Sequence, residues 1–329
     1  MKLSVIIPYY NAKDLITTLL TTIKNQDYDK QEYEVIIVDD YSKQPINEDD
    51  LKDYGLNIKV FRLPENFGPG VARQKGIMEA EGEFLMFCDA DDYLSKKNTF
   101  KYMLDKIGDN DILITAFIEE TNVQNKEGKT ICIPHTGDRT WMHGKLYRKS
   151  FINDRKVFFH PLLRANEDGF FNNLAFSETD KYLYDNSFMS YVWKNNRNSI
   201  TRSNDNEYNY SGYHEYIQGT RLVLNELYRR NNLHMYDIFL TAVGMMYYTF
   251  QSDIKAWKEH KAHYDKAIEE FKKLYTQFSG IYDYVEEKDF YDAMNSARFQ
   301  IYNTGNKFIE KQTFKQFIKS LGLKVYKYF

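Results

Sequence analysis

The sequence predicts an open α/β sheet wound on both faces by helices, followed by a mostly α-helical region. Three observations carry this expectation. Short apolar runs rich in β-branched residues alternate with helical patterns along the N-terminal part. Those runs are apolar throughout, the mark of strands buried on both faces, as in a parallel sheet covered by helices. All six prolines lie at or before Pro161, and the remainder is rich in Tyr, Phe, Lys, Asn and Glu at helical spacing.

The elements follow in order. LSVIIPYY (3–10) is the first expected strand, and DLITTLLTTIKNQ (14–26) the amphipathic helix after it. EVIIVDD (34–40) and NIKVFRL (57–63) are the next strands. ENFGPG leads into a helix over VARQKGIMEAEG (71–82) that ends at Gly82, and FLMFCD (84–89) is again a strand. Ligands of such sheets bind beyond the carboxyl ends of the strands. Two of those ends carry acids: Asp39 with Asp40, and Asp89 with Asp91 and Asp92. The polar stretch SNDNEYNYSG (203–212) reads as a linker, giving expected domains of 1–204 and 205–329. Helical periodicity then covers 212–230, 234–250, 254–278 and 289–303, with a fifth segment over 311–329 that Gly322 weakens.

Composition excludes several classes of function. With 44 basic and 47 acidic residues the net charge is -3, which counts against nucleic acid as a partner. Two cysteines without a CxxC pattern indicate neither a disulfide framework nor structural zinc. The opening MKLSVIIPYYN enters a strand directly, unlike a signal peptide, and no apolar run is long enough for a membrane span, so a cytoplasmic protein is expected. The 16% aromatic share suits either packing or platforms for flat ligands.

The chemistry concentrates at the acidic strand ends. Asp-Ala-Asp projects two carboxylates from one short turn, which suits a hard divalent cation such as Mg²⁺ or Mn²⁺. The loop ENFGPGVARQKG is not a dinucleotide fingerprint, since it lacks the third glycine and follows the third strand. It is not a Walker loop either, since no GK[ST] lies in it.

SVIIPYYN, EVIIVDDYS, ENFGPGVARQKG, FCDADD, WMHGKLYRKSFI (141–152), NEDGFF (166–171) and YVWKNNRNSIT (191–201), in that order, resemble the motifs of family 2 glycosyltransferases, the inverting enzymes of GT-A fold. The resemblance covers about 1–202. It implies a GT-A (Rossmann-like) catalytic domain that moves a sugar from a nucleotide-diphosphate sugar, most simply a UDP-sugar, to an acceptor hydroxyl. On the donor side, Pro8 and Tyr10 would line and stack on the nucleobase, and Asp39 or Asp40 would accept from it. Asn66 would join them, Arg73 would donate to a base carbonyl, and Asp89 would hold the ribose. Asp91, with Asp89, would bind Mn²⁺ or Mg²⁺, and Lys194, Arg197 and Ser199 would bind the diphosphate. Asp168 would be the general base and Glu167 its neighbour in that work, the competing reading being an Asp that caps the helical stretch behind it. Trp141, His143 and Lys145 are candidate acceptor contacts. Gln74 and Pro69 depart from the family pattern and bear on donor choice.

The expected acceptor is a cell-surface polysaccharide, a teichoic-acid-like polymer or a lipid-linked glycan. The alternatives are a modified nucleic acid, or an inactive glycan-binding or scaffolding module. The joint presence of Asp89, Asp91 and Asp168 counts against the last. For the helical region the expectations are packing or homo-oligomer formation, or membrane-surface contact through the Lys-flanked apolar stripe of 311–329.

Overall fold

The computed structural model describes residues 1–196, 210, 212–252, 254–302 and 311–326. The chain divides into two compact units, Met1–Ser199 and Ile200–Phe329.

The first unit is built on a nine-stranded sheet. β1 (Leu3–Tyr9), β2 (Tyr33–Asp39), β3 (Ile58–Arg62) and β4 (Phe84–Phe87) pair in parallel in the order β3-β2-β1-β4. Their runs of Val, Ile, Leu and Phe leave β1, β2 and β4 almost wholly buried, as continuous apolar strands require. α1 (Ile16–Lys24) buries Ile16, Leu19, Leu20 and Ile23 on one stripe, and α2 (Pro69–Glu79) starts on Pro69 after Gly68, whose φ of 95° favours glycine. The helix ends at Glu79, three residues before the expected Gly82.

Beyond β4 the sheet is mixed, not parallel. It continues β8-β6-β9-β5, comprising β5 (Tyr93–Leu94), β6 (Ile112–Gln124), β8 (Lys145–Arg148) and β9 (Tyr182–Trp193). β8 runs antiparallel to both β4 and β6, β9 is parallel to β6, and β7 (Thr130–His135) folds back on β6 as a hairpin. Three helices complete the unit: α3 (Thr99–Ile107), α4 (Lys149–Asp154) and α5 (Glu167–Ser177).

The amino ends of the strands are locked by a polar chain. The Ser4 hydroxyl donates to Glu34 Oε1 (2.6 Å) and accepts from the Gly82 amide (2.8 Å), while Lys59 pairs with Glu34 Oε2 at 2.9 Å. A Cβ on Gly82 would lie 2.5 Å from the Ser4 nitrogen and 2.7 Å from the Leu3 carbonyl carbon, backbone atoms that cannot yield cheaply. Gly82→Ala is therefore expected to cost about 1–3 kcal/mol of stability, read as a lower urea midpoint at unchanged m value.

The second unit is helical among its described residues, with helices over Tyr213–Arg229, His234–Ser252, Ile254–Glu259, Lys261–Phe278, Glu287–Tyr302 and Lys311–Ser320. The expected helix over 254–278 breaks at His260. Gly244 lets two helices approach closely, since a Cβ there would meet Ala297 Cβ at 2.8 Å. The last helix corrects the membrane-contact expectation. Phe314, Phe317 and Ile318 of its apolar stripe are buried, with Tyr247, Phe271 and Phe290 around the two Phe rings, so that face is core and not free for lipid. Gly322, at φ 72°, lies just past that helix. Among the described residues no helix is long and apolar enough to cross a membrane.

Candidate active site

The acids at the ends of β2 and β4 fall into distinct jobs. Asp39 is fully buried, accepting from the Ser42 amide at 2.8 Å and pairing with Arg62. That pairing follows from register, because Arg62 lies opposite Asp39 across β2 and β3. Asp40 accepts from the amides of Phe67 (2.7 Å) and Gly68 (2.8 Å), and burial raises its carboxyl against the pull of those two amides. Both residues expected to accept from a nucleobase are thus buried and hold the loops beyond β2 in shape. Asn66 serves the same loops, donating to the Asp40 carbonyl at 3.2 Å and receiving Arg164 on its own carbonyl at 2.7 Å. Tyr10, half exposed just past β1, keeps a ring face open, and Pro8 beside it is partly buried.

Arg73 brings the site together. Its guanidinium, 3% exposed, donates through Nη2 to Asp89 Oδ1 (2.6 Å) and through Nη1 to Glu167 Oε1 (2.7 Å) and Asp168 Oδ1 (2.8 Å). In this structure both terminal nitrogens of the residue expected to meet a base carbonyl are engaged by carboxylates. The next residue is also structural, because Gln74 Oε1 accepts from the Phe159 amide at 2.9 Å. Burial pushes the Asp89 carboxyl up, but Arg73 and then His143 outweigh it and leave it below the usual range. Asp168 goes the other way. Burial lifts its carboxyl well above the usual range, with Glu167 and Asp89 adding repulsion and Arg73 and Lys145 opposing.

Glu167 and Asp168 occupy the first turn of α5, where anions are favoured by the helix dipole. Asn166 is the N-cap residue, in left-handed conformation at φ 59°, so the capping alternative for Asp168 falls away. Asp168 Oδ1 is held by Arg73, and among the described residues Oδ2 has no hydrogen bond.

Asp92, without a role in the sequence reading, is the anchor of the acidic turn. It is buried, and its oxygens accept from the Tyr191 hydroxyl (2.6 Å) and the Lys194 amide (2.9 Å). The same Tyr191 oxygen accepts from the Asp89 amide at 2.9 Å, so one phenol from β9 fixes both ends of the turn. Burial, with repulsion from Asp89 and Asp91, lifts the Asp92 carboxyl well above its usual range. Tyr191→Phe would leave the partly buried Asp89 amide without its acceptor and the buried Asp92 carboxyl without a donor, an expected loss of about 1–3 kcal/mol measurable by chemical denaturation. A mid-strand Tyr carries no pattern that would have announced this in the sequence.

Asp91 is half-buried, and its Oδ2 accepts from Asn196 at 2.8 Å. Ligand atoms of Asp89, Asp92 and His143 lie within 4.8 Å of one another. Asp92 is already engaged, and His143 is packed between Phe117, Tyr191 and Trp193. Burial drops its imidazole to about 4, so it is neutral at pH 7. The carboxylates that fit a hard cation are therefore Asp89, whose side chain is 30% exposed, and Asp91.

The acceptor candidates separate. Trp141 is half-buried and leans on Trp193 at 5.2 Å between ring centroids. His143 and Lys145, by contrast, are buried. Lys145 donates to the Trp141 carbonyl, lies 3.7 Å from Asp138, and is lowered by burial to about 8. Lys194 is partly buried, while Arg197 and Ser199 lie outside the described residues.

With this geometry in place, comparison with known proteins identifies the family. Residues 4–167 match the family described as glycosyl transferase family 2. Poly(ribitol-phosphate) beta-N-acetylglucosaminyltransferase TarS of Staphylococcus aureus is 31% identical over 192 residues, which cover 55% of this chain and 33% of that protein. The poly(ribitol-phosphate) beta-glucosyltransferase of Bacillus spizizenii is 30% identical over 199 residues, covering 55% and 30%. The chain thus spans about a third of the length of these curated relatives. The crystal structure of S. aureus TarS 1-349 in complex with UDP superposes with a TM-score of 0.65 at 23% identity, covering 91% of this chain and 86% of that one. The chain belongs to glycosyltransferase family 2, its GT-A fold followed by a helical C-terminal region.

Proposed function

We propose that this protein is an inverting glycosyltransferase that takes a UDP-sugar as donor and a polyol-phosphate polymer of the teichoic-acid class as acceptor. The observation that carries the reading is the bridge from Asp89 through Arg73 to Asp168, which sets a cation-binding acidic turn beside a carboxylate with an unbonded oxygen. The relatives' names supply the acceptor class, and the UDP complex of the structural neighbour supports the donor.

In this reading Tyr10 stacks on the nucleobase and Pro8 lines its pocket. Asp89 and Asp91 hold a divalent cation with the diphosphate, and Lys194 meets the diphosphate as well. The cation, when bound, supplies charge to the leaving group. Asp168 Oδ2 takes the proton of the acceptor hydroxyl as that oxygen attacks the sugar carbon from the side opposite the diphosphate. Glu167, sharing the same Arg73 nitrogen, orients it. Trp141 offers a ring face to the acceptor.

The reading is tested by incubating the protein with a panel of UDP-sugars, Mn²⁺ or Mg²⁺, and poly(ribitol phosphate) or poly(glycerol phosphate). UDP release that rises with polymer and with cation is expected. Cation-independent release, or none with any UDP-sugar, would exclude it.

A further inference from the structure

Arg73 holds more charge than it can balance. One guanidinium, itself buried, meets Asp89, Glu167 and Asp168 at 2.6–2.8 Å. Three ionised carboxylates around one cation leave an excess of negative charge, and buried charge is costly unless it is paired. Lys145 is the other buried cation that acts on Asp168, through space. The arrangement is divided by function as well as by charge. Nη2 faces the acidic turn after β4, whereas Nη1 faces the first turn of α5. The fork is also rigidly supported. Arg73 lies on α2, its guanidinium carbon is 5.8 Å from the Phe159 ring, and Gln74 ties the same stretch of backbone to the helix. A shift of Asp89 on one side is therefore felt at Asp168 on the other through one planar group.

We propose that Arg73 is a positioning residue that couples donor capture to the placement of the base, so that engagement of Asp89 by a cation and its diphosphate and alignment of Asp168 are one event. The inference rests on the donor and base roles given above. Loss of charge at Asp168 lets the guanidinium settle on Asp89, which then competes with the incoming cation. Lysine at position 73 keeps the positive charge but gives up the two-sided fork, so it separates coupling through the guanidinium from electrostatics through space.

The test is a double-mutant cycle read by calorimetric binding of UDP with Mn²⁺, without turnover. Asp168→Asn is expected to weaken UDP–Mn²⁺ binding roughly three- to tenfold when Arg73 is present. In an Arg73→Lys background the same substitution should change affinity less than about twofold. Glu167→Gln, measured with Arg73 intact, should repeat the weakening and covers the case in which Arg73→Lys fails to fold. Equal effects of Asp168→Asn in both backgrounds, or no effect of Asp168→Asn and Glu167→Gln with Arg73 intact, would overturn the coupling and leave the proposed function standing. Absence of UDP–Mn²⁺ binding by the wild-type protein would overturn both.

Discussion

Asp168→Asn is expected to reduce sugar transfer by about a hundred- to ten-thousand-fold, the range that a positioned general base contributes. Thermal stability should move the other way. The folded state raises the Asp168 carboxyl above its unfolded value, so it binds the proton more tightly than the unfolded chain does. The stability associated with that proton is complete below the unfolded carboxylate range, near pH 4, and is lost as pH rises through the folded value. Once ionised, the buried side chain is a cost that the amide does not carry. Arg73 would still hold Asp89 and Glu167, so no buried cation is orphaned by the change. A rise in Tm of about 2–4 °C, matching roughly 1 kcal/mol in a unit of this size, is expected at pH 7 and should shrink toward pH 4. Scanning calorimetry across that pH range, beside a transfer assay, checks both halves. Full activity in the amide variant would remove Asp168 from the chemistry.

Asp91→Ala should abolish the cation dependence of donor binding. Removing one of the two carboxylates that would hold a hard cation with the diphosphate would forfeit several kcal/mol of charge stabilisation, a fall of about a hundredfold or more in UDP–Mn²⁺ affinity. Asp91 is half-buried, whereas Asp92 is fully buried and ties the turn to β9, so Asp91→Ala spares the anchor. Its fold should therefore be intact by circular dichroism while titration with UDP shows no difference between Mn²⁺ and EDTA. A variant that still distinguished the two would move the cation elsewhere.

The parallel half of the sheet was legible because β1, β2 and β4 are apolar on both faces, a pattern that little besides a strand covered on both sides produces. The mixed half was not. β6 and β9 mix Thr, Glu, Asn, Ser and Tyr with apolar residues and are irregular around Thr115–Phe117, so neither period shows cleanly. The acidic positions were legible as a set, but their division of labour was not. Asp39, Asp40 and Asp92 differ from Asp89 and Asp91 only in which amides and side chains surround them, and that is a property of loops meeting in space. Arg73 illustrates the limit most plainly, since two of its partners lie more than ninety residues away. The stripe at 314–318 is plainly apolar in the sequence, but periodicity alone does not say whether such a face meets lipid or the neighbouring helices.

The sheet order has a mechanical corollary for the acidic turn. β4 and β5 are separated in the sheet by β8, β6 and β9, yet Phe87 and Tyr93 are joined by only the residues 88–92. Four strand spacings of about 4.8 Å make roughly 19 Å, close to the full reach of so short a segment. The segment is not extended, because the Asp92 amide turns back to the Asp89 carbonyl at 3.1 Å. The sheet must therefore curl until its far edge comes within reach, with the irregular stretch of β6 and β9 as the natural place to bend. Cys88–Asp92 is thus a buckle of fixed length that draws one edge of a curved sheet back to its middle. Shortening it by one residue would have to unfasten β5 from β9, and its carboxylates cannot travel far to meet a ligand.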